Sequence, residues 1–221
     1  METNTAGTPN IGQPGTGRKK ISTGAIIGIG VLIVLVIAAV GIFKTYNRLV
    51  VQDETVKNAW SQVQTQLQRR MDLIPNLVET VKGYANFEKS TLEAVINARA
   101  NATRMQINPE NLDPQQLQKY MDAQNGLSSA LSRLMVVVEQ YPDLKANQSF
   151  LGLQDELTGT ENRIAVARKR YNDTVQTYNQ KLRVFPTVLI ARMLGFSQKP
   201  YFEAPQEAQN APKVDFSGVG K

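Results

Sequence analysis

Neither cysteine nor histidine occurs anywhere in the 221 residues. Without cysteine there is no disulfide framework and no thiolate metal site. Without histidine the commonest general base and the commonest metal ligand are both missing. Charge of one sign does not dominate either: 25 basic residues stand against 19 acidic ones, a net charge of +6. A small, dispersed basic excess suits anionic lipid headgroups or an ordinary solvated surface, and it gives no reason to expect nucleic acid. Dense glycine is confined to the N-terminal tail and the first apolar run, so no phosphate-cradling loop is present. Serines are plentiful, but a Ser-His relay is impossible here. A Ser-Lys dyad stays formally open, yet Ser61, Ser90, Ser128, Ser129 and Ser132 all fall within helical pattern. The adjacent pairs Asp53-Glu54 and Asp155-Glu156 point about 100° apart on a helix and cannot share a proton or a metal ion. No catalytic residue, cofactor or metal site is expected.

What is present begins with a polar, Gly-, Thr- and Pro-rich tail over residues 1–20, which cannot bury enough apolar surface to offset chain entropy. Residues 21–44 contain the uncharged run AIIGIGVLIVLVIAAVGIF, Ala25 to Phe43. As a helix it extends about 28 Å, close to the hydrocarbon thickness of a bilayer. Arg18, Lys19 and Lys20 precede it and Lys44 and Arg48 follow. The run is too long for a signal peptide and lacks a good cleavage site, so a single-pass signal anchor is expected. Basic residues nearly balance across the span, and the side that carries the rest of the chain stays open. Gly24 and Gly28 stand in a Gly-x-x-x-Gly spacing, which either lets two spans approach closely or reflects the ordinary frequency of glycine in spans.

From Tyr46 onward the apolar residues recur at steps of three and four. Four stripes result: Tyr46, Leu49, Val56, Trp60, Val63, Leu67, Ile74; then Leu77 to Ala102; then Leu117 to Tyr141; then Phe150 to Leu182. Each stripe needs a partner to cover it. The fold class expected is therefore all-α: a single transmembrane helix followed by an antiparallel bundle of about four long helices over residues 45–184. A C-terminal segment, 185–221, would hold a short helix near Val188–Phe196 and a flexible end. Pro109 and Pro114, with Asn108, Asn111 and Asp113, mark the second link; Pro142 and a capping Asp143 mark the third. Pro75 favours a helix boundary with Asp72 as cap, the alternative being a kink in one continuous helix. The late aromatics, Tyr201, Phe202 and Phe216, either pack on the bundle or meet the membrane surface.

Several polar residues fall on the apolar seams: Asp53 and Arg70 on the first, Glu88 on the second, Gln124 on the third, Glu161 and Arg168 on the fourth. A buried charge costs several kcal/mol unless paired, so several of these are expected to meet across the bundle and fix its register. A polar core that binds a small ligand is the alternative. Arg163, Arg168, Lys169 and Arg170 form a basic run, with Arg163 and Arg170 on one side of a helix. This is either a reader of anionic groups or an exposed face with ordinary ion pairs.

The motifs Tyr46-Asn47-Arg48-Leu49-Val50, Ala59-Trp60-Ser61-Gln62-Val63, Gln66-Leu67-Gln68-Arg69-Arg70 and Asp72-Leu73-Ile74-Pro75-Asn76-Leu77-Val78 follow one another in order. Tyr141-Pro142-Asp143-Leu144-Lys145-Ala146, Thr160-Glu161-Asn162-Arg163-Ile164-Ala165 and Lys199-Pro200-Tyr201-Phe202-Glu203 complete the series. With these motifs the chain resembles the LemA family, a bacterial group, over roughly residues 45–216. The resemblance implies a short tail, one span in the bacterial cytoplasmic (inner) membrane and a four-helix domain. It supplies no reaction. Family members often carry histidine before the glutamate that is Glu88, where this chain has Phe87.

Trp60, Gln62, Gln66, Arg69, Arg70 and Asp72 combine one large anchor with planar hydrogen-bonding groups. They are expected either to form a recognition surface for a protein partner or only to specify helix packing. The function anticipated is a membrane-anchored, non-enzymatic interaction or scaffold module. Its partners would be the lipid bilayer and either another membrane protein or further copies of itself through Gly24 and Gly28. A membrane-tethered sensor of a small ligand is the alternative.

Overall fold

The structure, a computed structural model, describes residues 23–84, 87–105, 107 and 113–203. The tail over 1–20, the turn residues Asn108 to Asn111 and the end that includes Phe216 lie outside them. Among the described residues six helices succeed one another: α1 (Thr23–Lys82), α2 (Lys89–Arg104), α3 (Pro114–Val138), α4 (Pro142–Lys145), α5 (Gln148–Arg183) and α6 (Thr187–Met193). There is no strand among the described residues. The chain divides into two compact units between Lys44 and Thr45.

In the first unit, the described side chains of α1 from residue 27 to residue 44 are exposed. By length and composition this helix is apolar enough to cross a membrane.

The second unit is the all-α bundle, in which α1 beyond Thr45, α2, α3 and α5 are the long members. The apolar stripes face inward as their spacing requires: Leu49, Val56, Trp60, Val63, Leu67 and Ile74 of α1 are all buried. So are Leu117, Tyr120, Leu127, Leu134 and Val138 of α3, and Phe150, Leu157, Ile164, Tyr171, Val175, Tyr178 and Leu182 of α5. Tyr46, at the head of the first stripe, is exposed.

Three local expectations need correction. Pro75 is not a boundary, because α1 runs through it to Lys82. Proline has no N–H for the carbonyl four residues back, which is that of Met71. The Arg99 Nε of α2 donates to that oxygen at 2.9 Å, so the freed acceptor is satisfied from outside the helix. The break falls instead at Gly83, the poorest helix former in this stretch after proline. Glu88 is the second correction. It sits at the N-cap of α2, exposed and accepting from the Ser90 hydroxyl at 2.6 Å, and so lies outside any seam. Third, the cap of α5 is Asn147, whose side chain accepts from the Phe150 N–H at 3.0 Å, while Asp143 belongs to the single turn α4. Asp113 caps α3 as its sequence context requires, accepting from the Gln116 N–H, with Pro114 in the first turn.

The core forms two apolar clusters. One surrounds Trp60 with Leu67, Tyr120, Met121, Ile164 and Tyr171; the other joins Met71, Ile74, Leu77, Leu127, Leu134, Phe150 and Leu157. On α1 the clusters change over between Leu67 and Met71, on α3 between Met121 and Leu127, and on α5 between Leu157 and Ile164. Arg70, Gln124, Thr160 and Glu161 fall at those change-overs, so a polar layer divides the core.

Candidate functional site

The polar layer is built by three helices. Arg70 of α1 is buried, with only 2% of its side chain exposed. Its Nη1 donates to Glu161 Oε2 at 2.7 Å and to Ser128 Oγ at 2.9 Å. Its Nη2 donates to the Gln124 side-chain oxygen. The expected meeting of seam residues is thus made by Arg70 with Gln124 of α3 and Glu161 of α5. Arg168, about two turns beyond Glu161 on α5, lies with its guanidinium 5.5 Å from the Phe202 ring centroid. Burial holds its pKa below the ordinary arginine value, and the nearby Arg70 charge acts the same way. Asp53 is engaged elsewhere, pairing with Lys57 at 3.3 Å and with Lys199 at 3.1 Å.

The proposed recognition residues separate into two groups. Trp60 and Arg70 are inside. Trp60 is 0% exposed, stacked on Phe202 at 5.5 Å between ring centroids and edge-on to Tyr171 at 5.7 Å. Gln62, Arg69 and Asp72 are exposed and Gln66 is half-buried. Arg69 pairs with Glu156, and Asp72 accepts from the Gln68 amide at 2.7 Å. Gln62 and Gln66 face a groove of about 420 Å³ whose opposite wall is α5, with Asn162, Arg163, Val166 and Arg170. Neither the Arg163 nor the Arg170 guanidinium has a carboxylate partner among the described residues, whereas the neighbouring Lys169 pairs with Asp173 at 2.7 Å. The groove therefore offers two cations, three amide side chains and one exposed apolar contact, Val166, along a helix pair.

Sequence reasoning noticed that Arg163 and Arg170 share a side but had no means of placing Gln62 and Gln66 opposite them. It left open whether the late aromatics pack on the bundle or meet the membrane; Phe202 packs on it, within a C-terminal strap that the sequence did not foresee. Residues 197–203 lie along α5, held by two asparagines seven positions apart. The Asn179 amide exchanges two hydrogen bonds with the Lys199 backbone, each 2.9 Å. Asn172 does the same with Phe202, again at 2.9 Å each. The Tyr171 hydroxyl donates to the Pro200 carbonyl at 3.0 Å. Two asparagines one heptad apart on a helix face were the available signal. In the apolar stretch of α1, an added Cβ at Gly28 would meet nothing within 4 Å, and Gly24 is likewise exposed.

An all-α bundle with a polar layer through its core, whose first helix begins with a stretch long and apolar enough to cross a bilayer, defines the class. The chain belongs to the LemA family, whose profile matches residues 59–216. It is similar to Magnetosome protein MamQ 2 of Paramagnetospirillum magneticum, 29% identical over 196 residues, covering 81% of this chain and 72% of that protein. It is similar to Protein LemA of Metamycoplasma hominis, 27% identical over 160 residues, covering 72% and 69% of the two chains. It is also similar to Magnetosome protein MamQ of Magnetospirillum gryphiswaldense, 28% identical over 174 residues, covering 71% and 64%.

Proposed function

We propose that this protein is a membrane-anchored, non-enzymatic interaction module, fixed by a single pass in a bacterial cytoplasmic membrane, whose α1–α5 groove receives an acidic segment of a protein partner. One observation carries the proposal: Arg163 and Arg170 stand in one groove with Gln62, Gln66 and Asn162 and have no carboxylate of their own among the described residues. Two solvated cations held on one helix face attract a partner's carboxylates from a distance, and the amides then fix register at contact. Val166, 51% exposed between them, supplies the apolar contact that such an interface needs at its centre.

The test is a photocrosslinking residue at Val166 in the full-length protein, expressed in its own host. A discrete adduct of one other protein, lost in an Arg163→Glu, Arg170→Glu variant of unchanged helicity, is expected. A ladder of multiples of the chain itself would replace the adaptor with a self-assembling scaffold, and Gly24→Leu, Gly28→Leu would then be expected to collapse the ladder. No adduct at Val166 beyond that seen with the same residue at Lys89 would overturn the groove as an interface.

A further inference from the structure

The helix α6 and the turn before it carry apolar side chains that nothing among the described residues covers. Phe185 is 78% exposed, Leu189 60% and Met193 68%. Leu189 and Met193, four residues apart on α6, share one face, Phe185 stands exposed in the turn just before the helix, and Ala191 turns inward and is buried. Val184, the extended residue that ends α5, and Leu194, at the end of α6, add exposed apolar surface on either side. Exposed apolar residues scattered singly need no explanation, but a cluster of this kind does.

Two further observations say what meets it. The first is charge. From Thr174 to Phe202 the chain contains no Asp or Glu, and Lys181, Arg183 and Arg192 flank the cluster. The second is tethering. Gly195, with φ 79°, ends α6 in the left-handed conformation, and the Phe196 N–H returns to the Ala191 carbonyl at 3.0 Å. That turn sets Phe196 edge-on to Tyr46, 6.0 Å between ring centroids. Tyr46 is only two residues after Lys44, the last residue of the apolar unit, so at most about 7 Å of chain separates them. Where the apolar stretch crosses a bilayer and ends at Lys44, the Phe196 end of α6 is tethered by a short length of chain to the point where that stretch ends.

We infer that α6 is an interfacial helix: Phe185, Leu189 and Met193 insert into the lipid–water boundary of an anionic membrane, with Lys181, Arg183 and Arg192 at the headgroup level. This deepens the membrane-anchored reading and rests on it. Aromatic and apolar side chains on one face with basic residues beside them are the composition of membrane-surface helices. A helix of two turns would bind lipid weakly alone, but attachment beside a span makes the contact effectively intramolecular.

The absence of cysteine makes the experiment direct. Full-length protein with a single cysteine at Leu189, Met193, Lys89 or Leu35 is spin-labelled and reconstituted in nanodiscs of phosphatidylethanolamine and phosphatidylglycerol. Collision with oxygen is then compared with collision with a water-soluble nickel chelate. Labels at Leu189 and Met193 are expected to favour oxygen several-fold over the Lys89 label, approaching the Leu35 label in the span. A lipid-like Leu35 label with water-like labels at Leu189 and Met193 would overturn the inference and leave the anchor standing. A water-like Leu35 label would overturn both. Labels at Leu189 shielded from both reagents and dipolar-coupled between copies would replace lipid with a second copy as the occupant.

Discussion

Arg99 of α2 donates from Nε to the Met71 carbonyl, the acceptor that Pro75 leaves empty four residues further along α1. The two residues thus solve one problem together: proline removes a helix bond and a cation from the neighbouring helix replaces it. A hydrogen bond from a charged donor contributes about 1.5–3 kcal/mol, whereas restoring the helix N–H would leave the carbonyl already satisfied. Arg99→Leu is therefore expected to cost about 1.5–3 kcal/mol in the natural background and less than about 1 kcal/mol in Pro75→Ala. Thermal melts of the four variants in detergent, followed by circular dichroism, measure the coupling. Equal losses in both backgrounds would mean that Arg99 does not act through the proline.

The Arg70–Glu161 pair is lopsided, with side-chain exposures of 2% and 51%. Losing the exposed carboxylate leaves a buried cation with Gln124 and Ser128 as its remaining partners and Arg168 nearby. Glu161→Gln should destabilise by about 1–3 kcal/mol, at the lower side of what breaking a buried pair costs because Glu161 is partly solvated. In Arg70→Met the same substitution should change stability by less than about 0.5 kcal/mol, since the charge that needed it is gone. Chemical denaturation of the set decides the matter; an undiminished effect in the Met background would place the role of Glu161 elsewhere.

The apolar periodicity from Leu49 to Leu182 was enough to read an all-α bundle, because three- and four-residue spacing on long, glycine-poor segments has one economical solution. It was enough, too, to single out Arg70, Gln124 and Glu161, since polar residues on an apolar seam must find each other. It failed at Pro75, where the compensating group lies 24 residues away on another helix, and at Glu88, which the seam pattern claimed although the helix starts only at Lys89. Trp60 and Arg70 looked equally suited to a partner surface or to packing. Only the register between α1 and α5 turns both inward and leaves Gln62 and Gln66 at the groove. Packing of Phe202 on the bundle was one of two open alternatives, but the path of the strap was not read, because an extended segment has no period and its attachment depends on Asn172 and Asn179 pairing with backbone.

The strap has its own energetic consequence. Phe202 covers Trp60 and Tyr171 and carries the Arg168 guanidinium over its ring. Phe202→Ala removes a large buried ring from a packed aromatic cluster, and a loss of about 3–5 kcal/mol is expected. Asn179→Ala removes two hydrogen bonds to the strap backbone, for about 1–3 kcal/mol. Tryptophan emission reports both directly, because Trp60 is the sole tryptophan. A red shift in Phe202→Ala without a change in helicity is the expected signature, and emission unchanged from the natural protein would show that Phe202 does not shield the indole.

The same cluster sets how the fold responds to alkali. Burial pushes the Tyr178 phenol up to about 12 from its ordinary 10.0, with the nearby Asp53 charge acting in the same direction. Burial also raises Tyr171 and Tyr120. In the unfolded chain these phenols ionise near pH 10, whereas the folded chain keeps their protons longer. Above the unfolded value the native state thus holds more protons than the unfolded state, and stability falls as pH rises. Their contribution is complete below about pH 10 and is lost progressively towards pH 12 as Tyr178 itself ionises. The slope of melting temperature against pH over this window should be shallower in Tyr178→Phe, which keeps the ring and removes one titrating group. Tyrosinate absorbance supplies the independent check. Part of the signal from the seven tyrosines should appear only at the pH of unfolding, and a titration complete near pH 10 with the bundle still folded would contradict the burial of these hydroxyls.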